Sequence, residues 1–289
     1  MKKICFLLAL TLLLTSCSKP TPQTADFNIV TSFYPVMLIS KAVTDGADGI
    51  GITNLADAGT GCLHNYSLST NDMKTLENAD VLVINGLGME PFIEKITLSL
   101  PSLKIIDLSE NVGNEENEHL WLSPQLAASM ASYLARALGE LTAEHEALYT
   151  ENANEFARQM YGIHSKIQMA LQEADINNIA ILHDSLFYLE RDYDLNAKVK
   201  ADGGHEGNTS AKELREVIDM INESGVKVVF GDEQYSKSSA KTISSETGAK
   251  FYELDSIVTG KASDTAEEFY TRMNNNFEIL KEALINTAE

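Results

Sequence analysis

The sequence predicts an α/β protein of two lobes, each a mostly parallel sheet flanked by helices, joined by a long connecting helix. Three observations support this fold class. Short apolar segments alternate with helical segments in the first half of the chain, a stretch with no proline and a single glycine follows (142–175), and the alternation then resumes. Near-continuous apolar strands separated by helices are typical of a parallel sheet covered on both faces. The 289 residues are enough for two domains of ordinary size.

The start of the chain has the features of a bacterial export signal. Two lysines follow the initiator methionine, and the apolar run 4–14 is too short to span a bilayer as a helix. The stretch 14–17, Leu-Thr-Ser-Cys, resembles a lipobox, in which the cysteine is lipidated and becomes the first mature residue. We predict a signal peptide over 1–16 and a lipidated N-terminus with a short tether over 17–26, with Cys17 as the lipid attachment site. The alternative is an ordinary cleaved signal in which Cys17 is incidental.

The N-terminal lobe is predicted to cover residues 27–140. Its strands are the apolar runs at 27–33, 49–55, 80–87 and 104–108. Its helices are the segments with apolar residues at helical spacing, at 72–79, 90–100 and 124–138. The last of these has Pro124 in its first turn, where the missing N–H of proline costs no hydrogen bond.

The segment 142–175 is predicted to form one continuous helix. Its apolar residues recur at helical spacing: Leu148, Phe156, Met160, Ile163, Ile167 and Leu171. Such a helix would be on the order of 50 Å long, which exceeds the width of a small domain. A helix of this length between two α/β halves is a connection, and we assign residues 141–175 to it.

The C-terminal lobe is predicted to cover residues 176–289 with the same alternation. Its strands are predicted at 178–182, 197–201, 226–230 and 250–254. Its helices are predicted at 185–193, 210–224, 236–247 and 264–286. Ser210 and Glu213 fit a capping box at the start of the second helix. The two halves of the chain show no visible sequence repeat of each other.

The charge and the cysteines limit the classes of function. The net charge is −20, and it becomes −22 once the two lysines of the signal are removed. So acidic a surface repels nucleic acid and anionic lipid, which argues against binding to either through charge. Of the three cysteines, Cys5 leaves with the signal and Cys17 carries the lipid. Cys62 is then alone, so no intrachain disulfide is expected.

Four candidate metal ligands follow predicted strands: His64, His119, His183 and Asp255. Ligands bind at the carboxyl ends of strands in open α/β sheets, so two ligands from each lobe would converge on the cleft between the lobes. Three imidazole nitrogens and one carboxylate suit a tetrahedral divalent metal, zinc above all. Cys62 is interpreted as a buried structural thiol, because this set already completes four-coordination. The placement after strands is not shared by His145, His164 and His205.

The segments around the candidate ligands have a specific residue pattern. They are His64-Asn65-Tyr66 with Asn71-Asp72, Asn78-Ala79-Asp80 and Asn85–Glu90 beyond it, Glu118-His119-Leu120-Trp121-Leu122-Ser123-Pro124, His183-Asp184-Ser185 with Tyr188 and Tyr193, and Phe230–Gln234 with Thr247-Gly248-Ala249 and Leu254-Asp255. Together these segments resemble the substrate-binding lipoproteins of zinc and manganese ABC transporters. The resemblance covers essentially the whole mature chain.

The resemblance implies a monomeric solute-binding protein, not an enzyme. Its lipid would hold it on the outer side of the cytoplasmic membrane, where it would bind one metal ion through the four candidate ligands. An ATP-driven ABC permease would receive the ion. Trp121, Asp184 and Asp232 are candidates for orienting the ligands. Ordinary packing or surface solvation is the alternative role for these three residues.

The sequence departs from the family pattern in ways that bear on the metal. Leu63 and Leu68 stand where the family usually has prolines around the first histidine. The segment 111–118 is short and acidic, whereas many zinc-specific members have a histidine-rich loop there. The third ligand is His183, whereas manganese-type members tend to have a carboxylate, which is a harder ligand. We therefore expect Zn²⁺ as the transported ion, with Mn²⁺ as the alternative.

Two other classes of function stay open. In a surface zinc hydrolase, the metal would keep three protein ligands and an open water position, with Asp255 as the base. In an adhesin of the same fold, the metal would be structural, and the protein would unfold on chelation.

Overall fold

The computed structural model describes residues 25–113, 115–172, 174, 176, 178–201, 210–233 and 235–285. The predicted signal peptide, the lipid attachment site Cys17 and the histidine His205 lie outside the described residues. Among the helices that are described, none has the length and the hydrophobicity that a membrane span requires.

Two four-stranded parallel sheets form the framework. The first contains β1 (Phe27–Thr31), β2 (Ile50–Asn54), β3 (Val81–Ile84) and β4 (Lys104–Asp107) in the order β2-β1-β3-β4. The second contains β5 (Asn178–Ile181), β6 (Asn196–Lys200), β7 (Val228–Asp232) and β8 (Lys250–Leu254) in the order β6-β5-β7-β8. The predicted fold class is confirmed. Both sheets have the same strand order although the halves share no visible sequence repeat, because an apolar strand pattern tolerates many sequences.

Helices flank both sheets, and most of them were predicted. They are α1 (Tyr34–Thr44), α2 (Thr70–Glu77), α3 (Ile93–Ser99), α4 (Pro124–Gly139), α5 (Glu146–Leu171), α6 (Phe187–Tyr193), α7 (Ala211–Ser224), α8 (Lys237–Thr247) and α9 (Ala266–Ile285). Sequence analysis assigned no element to α1. Nearly every residue of this helix is buried, so it lacks the alternation of polar and apolar faces that identifies a surface helix.

The connecting helix α5 has 26 residues and is about 39 Å long, shorter than predicted. A short 3₁₀ turn, Ala143–His145, precedes it. It packs against α1, α4 and α9, and its inward face contains Tyr149, Ala153, Phe156, Met160, Ile163 and Ile167. One hydrophobic core includes this face together with residues of both sheets. The predicted lobe boundaries at 140 and 176 stay a prediction.

The strand β7 begins and ends two residues later than predicted, which corrects the range 226–230. Gly225 is in the left-handed conformation at the end of α7, and β-pairing begins only at Val228, opposite Lys250. The shift has a consequence for the site, because it places Asp232 at the carboxyl end of β7.

Candidate metal centre

Three of the four predicted ligands come together where the two lobes meet. His64 lies in the loop after β2, His119 lies in the loop after β4, and His183 follows β5. The ring centroids of His64 and His119 are 5.6 Å apart, and those of His119 and His183 are 5.9 Å apart. His119 and His183 are buried. The carboxyl ends of strands from both sheets therefore supply one cluster of imidazoles.

Asn117 determines which nitrogen of His119 carries the proton. Asn117 Oδ1 accepts a hydrogen bond from the backbone N–H of His119 at 2.9 Å, which identifies this atom as the amide oxygen. The same oxygen lies 2.9 Å from His119 Nδ1. Because an amide oxygen can only accept, Nδ1 carries the proton and Nε2 presents a lone pair. Nε2 is therefore the nitrogen that His119 offers to a metal.

The buried carboxylate of Asp232 has the same effect on His183. Asp232 Oδ2 lies 2.8 Å from His183 Nδ1 and accepts a hydrogen bond of 2.8 Å from Ser185 Oγ. The backbone N–H of Ser185 also approaches Nδ1, at 3.4 Å. The contact with the carboxylate is shorter and charge-assisted, so we assign the proton to Nδ1, which donates it to Asp232 Oδ2. A histidine held in this way by a carboxylate offers Nε2 as a metal ligand.

Two groups of metal-ligating side chains occur among the described residues, and both include His119. The first consists of Cys62, His64 and His119, whose ligand atoms all lie within 4.8 Å of one another. The second consists of Glu118, His119 and Asp184 under the same limit. Glu118 Oε1 is also 3.6 Å from His64 Nδ1. The histidines are thus accompanied by one thiol and two carboxylates.

Asp255 follows β8 as expected but belongs to neither group. Its Oδ1 accepts a hydrogen bond from the backbone N–H of Ile257 at 2.8 Å and lies 3.4 Å from Arg272 Nη1. Its main chain exchanges two hydrogen bonds of 2.8 Å with the side chain of Asn276. Ile257 has a φ of 58°, in the left-handed region that β-branched residues rarely adopt. The turn that holds Asp255 is therefore tightly determined by its surroundings.

Hydrogen bonds between the lobes surround the cluster. The indole Nε1 of Trp121 donates to the carbonyl oxygen of Ser256 at 2.8 Å, and the indole is completely buried. Asn117 Nδ2 donates to the carbonyl oxygen of Asp184 at 3.3 Å. The residue that orients His119 therefore also bonds to the chain next to His183, so each lobe helps to position the other lobe's ligand.

A buried carboxylate supports the loop that precedes His119. Glu90 is 2 % exposed and accepts hydrogen bonds from the backbone N–H groups of Asn85 and Gly86 at 2.9 and 3.0 Å. Asn85 Nδ2 in turn donates to the carbonyl oxygen of Glu118 at 2.8 Å. Burial raises the pKa of Glu90 to about 7, against the lowering effect of its hydrogen bonds.

The predicted orienting residues all lie at the site. Trp121 packs its ring 5.3 Å from that of His119, Asp184 Oδ1 is 3.7 Å from His183 Nε2, and Asp232 bonds to His183. Their effect on metal binding stays a prediction. Sequence analysis missed Asn117, although its position two residues before His119 was a usable indication. Cys62 was expected to be buried, and it is half-buried beside His119.

The two parallel sheets with the imidazole cluster between them are the features of a metal-binding solute-binding protein. The chain belongs to the family described as "Zinc-uptake complex component A periplasmic", whose profile matches residues 29–283. Descriptions of the family and of its relatives concern metal uptake and binding, so the expectation that this chain is not an enzyme is confirmed.

Two curated relatives cover most of this chain. The zinc-binding lipoprotein AdcA of Streptococcus pneumoniae is 26% identical over 308 residues, which include 98% of this chain and 61% of the relative. The chain thus spans less than two thirds of the length of that relative. A putative metal-binding protein of Treponema pallidum is 23% identical over 288 residues, with 90% of this chain and 89% of the relative covered.

Solved structures show the same fold. The Zn(II)-bound ZnuA-like domain of S. pneumoniae AdcA superposes with a TM-score of 0.76 at 25% identity, over 90% of this chain and 99% of that chain. The solute-binding protein FpvC of Pseudomonas aeruginosa, in complex with Mn²⁺, has a TM-score of 0.81 at 24% identity, over 91% of this chain and 99% of that chain. The second likeness concerns the fold alone.

Proposed function

We propose that the chain captures one zinc ion with Nε2 of His119 and His183 and the imidazole of His64, and delivers it to an ABC permease for import. The observation that carries the proposal is the orientation of the buried imidazoles. Asn117 and Asp232 each hold an Nδ1–H, so two Nε2 lone pairs are prepared before any ion arrives. Prior orientation of ligands lowers the entropic cost of binding.

Asp255 is proposed as the carboxylate ligand from the C-terminal lobe. Its position after β8 matches the family pattern, and the Trp121–Ser256 hydrogen bond ties its turn to the loop of His119. Oδ1 is engaged by Arg272 and by a backbone N–H, so Oδ2 is the oxygen proposed for the metal. A carboxylate would also reduce the charge of the bound ion and so favour its retention in the cleft.

Zinc is proposed over manganese because the cluster is rich in nitrogen. Imidazole suits zinc, whereas manganese prefers carboxylates, carbonyls and water. The Zn(II)-bound AdcA domain supports this choice, since it shares the fold and 25% of the sequence. We further propose lipidation at Cys17, which would hold the protein on the outer face of the cytoplasmic membrane. The AdcA relative of S. pneumoniae is itself named a lipoprotein.

Competitive metal titration of the purified full chain against a chromophoric chelator tests the proposal. We expect one zinc per chain, with zinc preferred to manganese. His119→Ala should weaken zinc binding by about 100-fold or more, since loss of mere supporting residues already costs 10- to 100-fold. His145→Ala is the matched control, because the contacts of His145 are with Asp48 and Tyr149 and its affinity should be that of the wild type. Equal affinities of both variants would overturn the assigned site, and a preference for manganese would overturn the assigned ion.

Delivery is tested in cells that lack their own zinc-binding protein. Zinc-limited growth should be restored by the wild-type chain together with its permease and not by His119→Ala, at equal protein levels. Cys17→Ser should reduce membrane association without changing the zinc affinity of the purified protein. Restoration of growth by His119→Ala would contradict the proposed route of uptake.

A further inference from the structure

Cys62 stands beside two of the proposed ligands at a distance that suits a shared metal ion. Its Sγ is 3.8 Å from His119 Nε2, the nitrogen that Asn117 leaves without a proton. In a tetrahedral zinc site, with bonds of about 2.3 Å to sulfur and about 2.0 Å to nitrogen, the two ligand atoms are about 3.6 Å apart. The observed separation therefore requires little movement to accept an ion.

The local chain path directs Cys62 and His64 to the same place. Leu63, between them, is completely buried in the hydrophobic core and anchors the loop. Cys62 and His64 on either side of it are both half-buried, and their ligand atoms lie with that of His119 inside the 4.8 Å limit. The thiol is thus part of a three-residue ligand group, and it is not an isolated cysteine.

We propose that Cys62 Sγ is a ligand of the transported ion and that it determines the preference for zinc over manganese. The inference rests on the proposed function and deepens it. Asp255 is outside both ligand groups and its Oδ1 faces Arg272, so Cys62 Sγ would join the three imidazoles as the fourth ligand, and the Asp255 carboxylate proposed above would bind as a fifth. A thiolate is a soft ligand that favours zinc and disfavours manganese, which prefers oxygen.

Cobalt substitution tests whether sulfur binds the ion. The full chain is used with Cys5→Ser and Cys17→Ser, so that Cys62 is its one thiol. Addition of Co²⁺ should produce an intense thiolate-to-cobalt charge-transfer band in the near ultraviolet. The band should be absent after Cys62→Ser. A matched control combines Cys62→Ser with Ser67→Cys, which returns a thiol at an exposed position in the same loop and should not restore the band.

Selectivity provides a second readout that a merely structural thiol would not affect. Cys62→Ser should lower zinc affinity about tenfold or more and change manganese affinity much less, so the ratio of the two falls. Cys62→Asp returns an oxygen ligand and should raise manganese affinity above that of Cys62→Ser. Circular dichroism in excess chelator would verify that each variant is folded.

The outcomes separate this inference from the proposed function. Cobalt and zinc binding with no charge-transfer band, and an unchanged zinc-to-manganese ratio in Cys62→Ser, would overturn the role of Cys62 and leave the histidine site intact. Failure of the parent chain to bind zinc at all would overturn the proposed function itself.

Discussion

Replacement of Asp232 by asparagine should weaken metal binding without unfolding the protein. The carboxylate of Asp232 is completely buried and bonds at 2.8 Å to both His183 Nδ1 and Ser185 Oγ. An asparagine side chain is of nearly the same size, but it can turn its NH₂ group toward Nδ1. His183 would then accept at Nδ1 and carry its proton on Nε2, the atom that the metal needs.

The size of the effect follows from what the hydrogen bond does. Loss of a partner that orients a metal-binding histidine typically costs 10- to 100-fold in affinity. That range corresponds to about 1.4 to 2.7 kcal/mol of binding free energy. This loss should be mainly in metal binding, since Ser185 Oγ, which donates to the same Oδ2, can instead accept a hydrogen bond from the NH₂ group that replaces it.

The assay is competitive zinc titration of Asp232→Asn beside the control Asp219→Asn. Asp219 is exposed on α7 and belongs to neither group of metal-ligating side chains, so its replacement should leave zinc affinity unchanged. Urea unfolding in excess chelator would report the stability of each apo form. Wild-type zinc affinity in a folded Asp232→Asn variant would refute the reasoning, because His183 would not depend on its carboxylate.

Three further predictions concern the supporting structure, all measured by urea unfolding. In excess chelator, the wild type should become less stable as pH rises from about 4.5 to about 7. The pKa of Glu90 is raised in the folded state, so in this window the folded protein holds a proton on Glu90 that the unfolded chain has lost. Glu90→Gln should flatten this trend, and identical pH profiles of the two proteins would contradict the prediction. Trp121→Phe removes the indole N–H that bonds to Ser256 and should cost about 1 to 3 kcal/mol, whereas a loss below the experimental error would show that water replaces the bond. Relative to the metal-free folded chain, zinc at 100 times its Kd should raise the free energy of unfolding by about 2.7 kcal/mol. A metal-free chain that is unfolded would instead indicate a structural metal.

The predicted and observed bounds of particular elements show which features of the fold a sequence pattern can predict. Strand β8 was predicted with the observed ends, and the long helix was found in its predicted place, because both have clear apolar periodicity. Helix α1 was missed for the opposite reason, since a helix buried on every side has no polar face to reveal its period. The ends of β7 were misplaced because buried Val226 continues the apolar run beyond the hydrogen-bonded strand.

The sequence by itself determined the two α/β lobes, the class of protein and the histidines that follow strands. Apolar periodicity and local motifs carry that information, since they act over short distances along the chain. Only the tertiary structure decided which atoms meet: Asn117 with His119 Nδ1, Asp232 with His183 Nδ1, and Cys62 with His119 Nε2. These contacts depend on loop paths and on the docking of one lobe against the other, which no local pattern encodes. The expected carboxylate, Asp255, is correctly placed after its strand, yet its neighbours Arg272 and Ile257 direct one of its oxygens elsewhere.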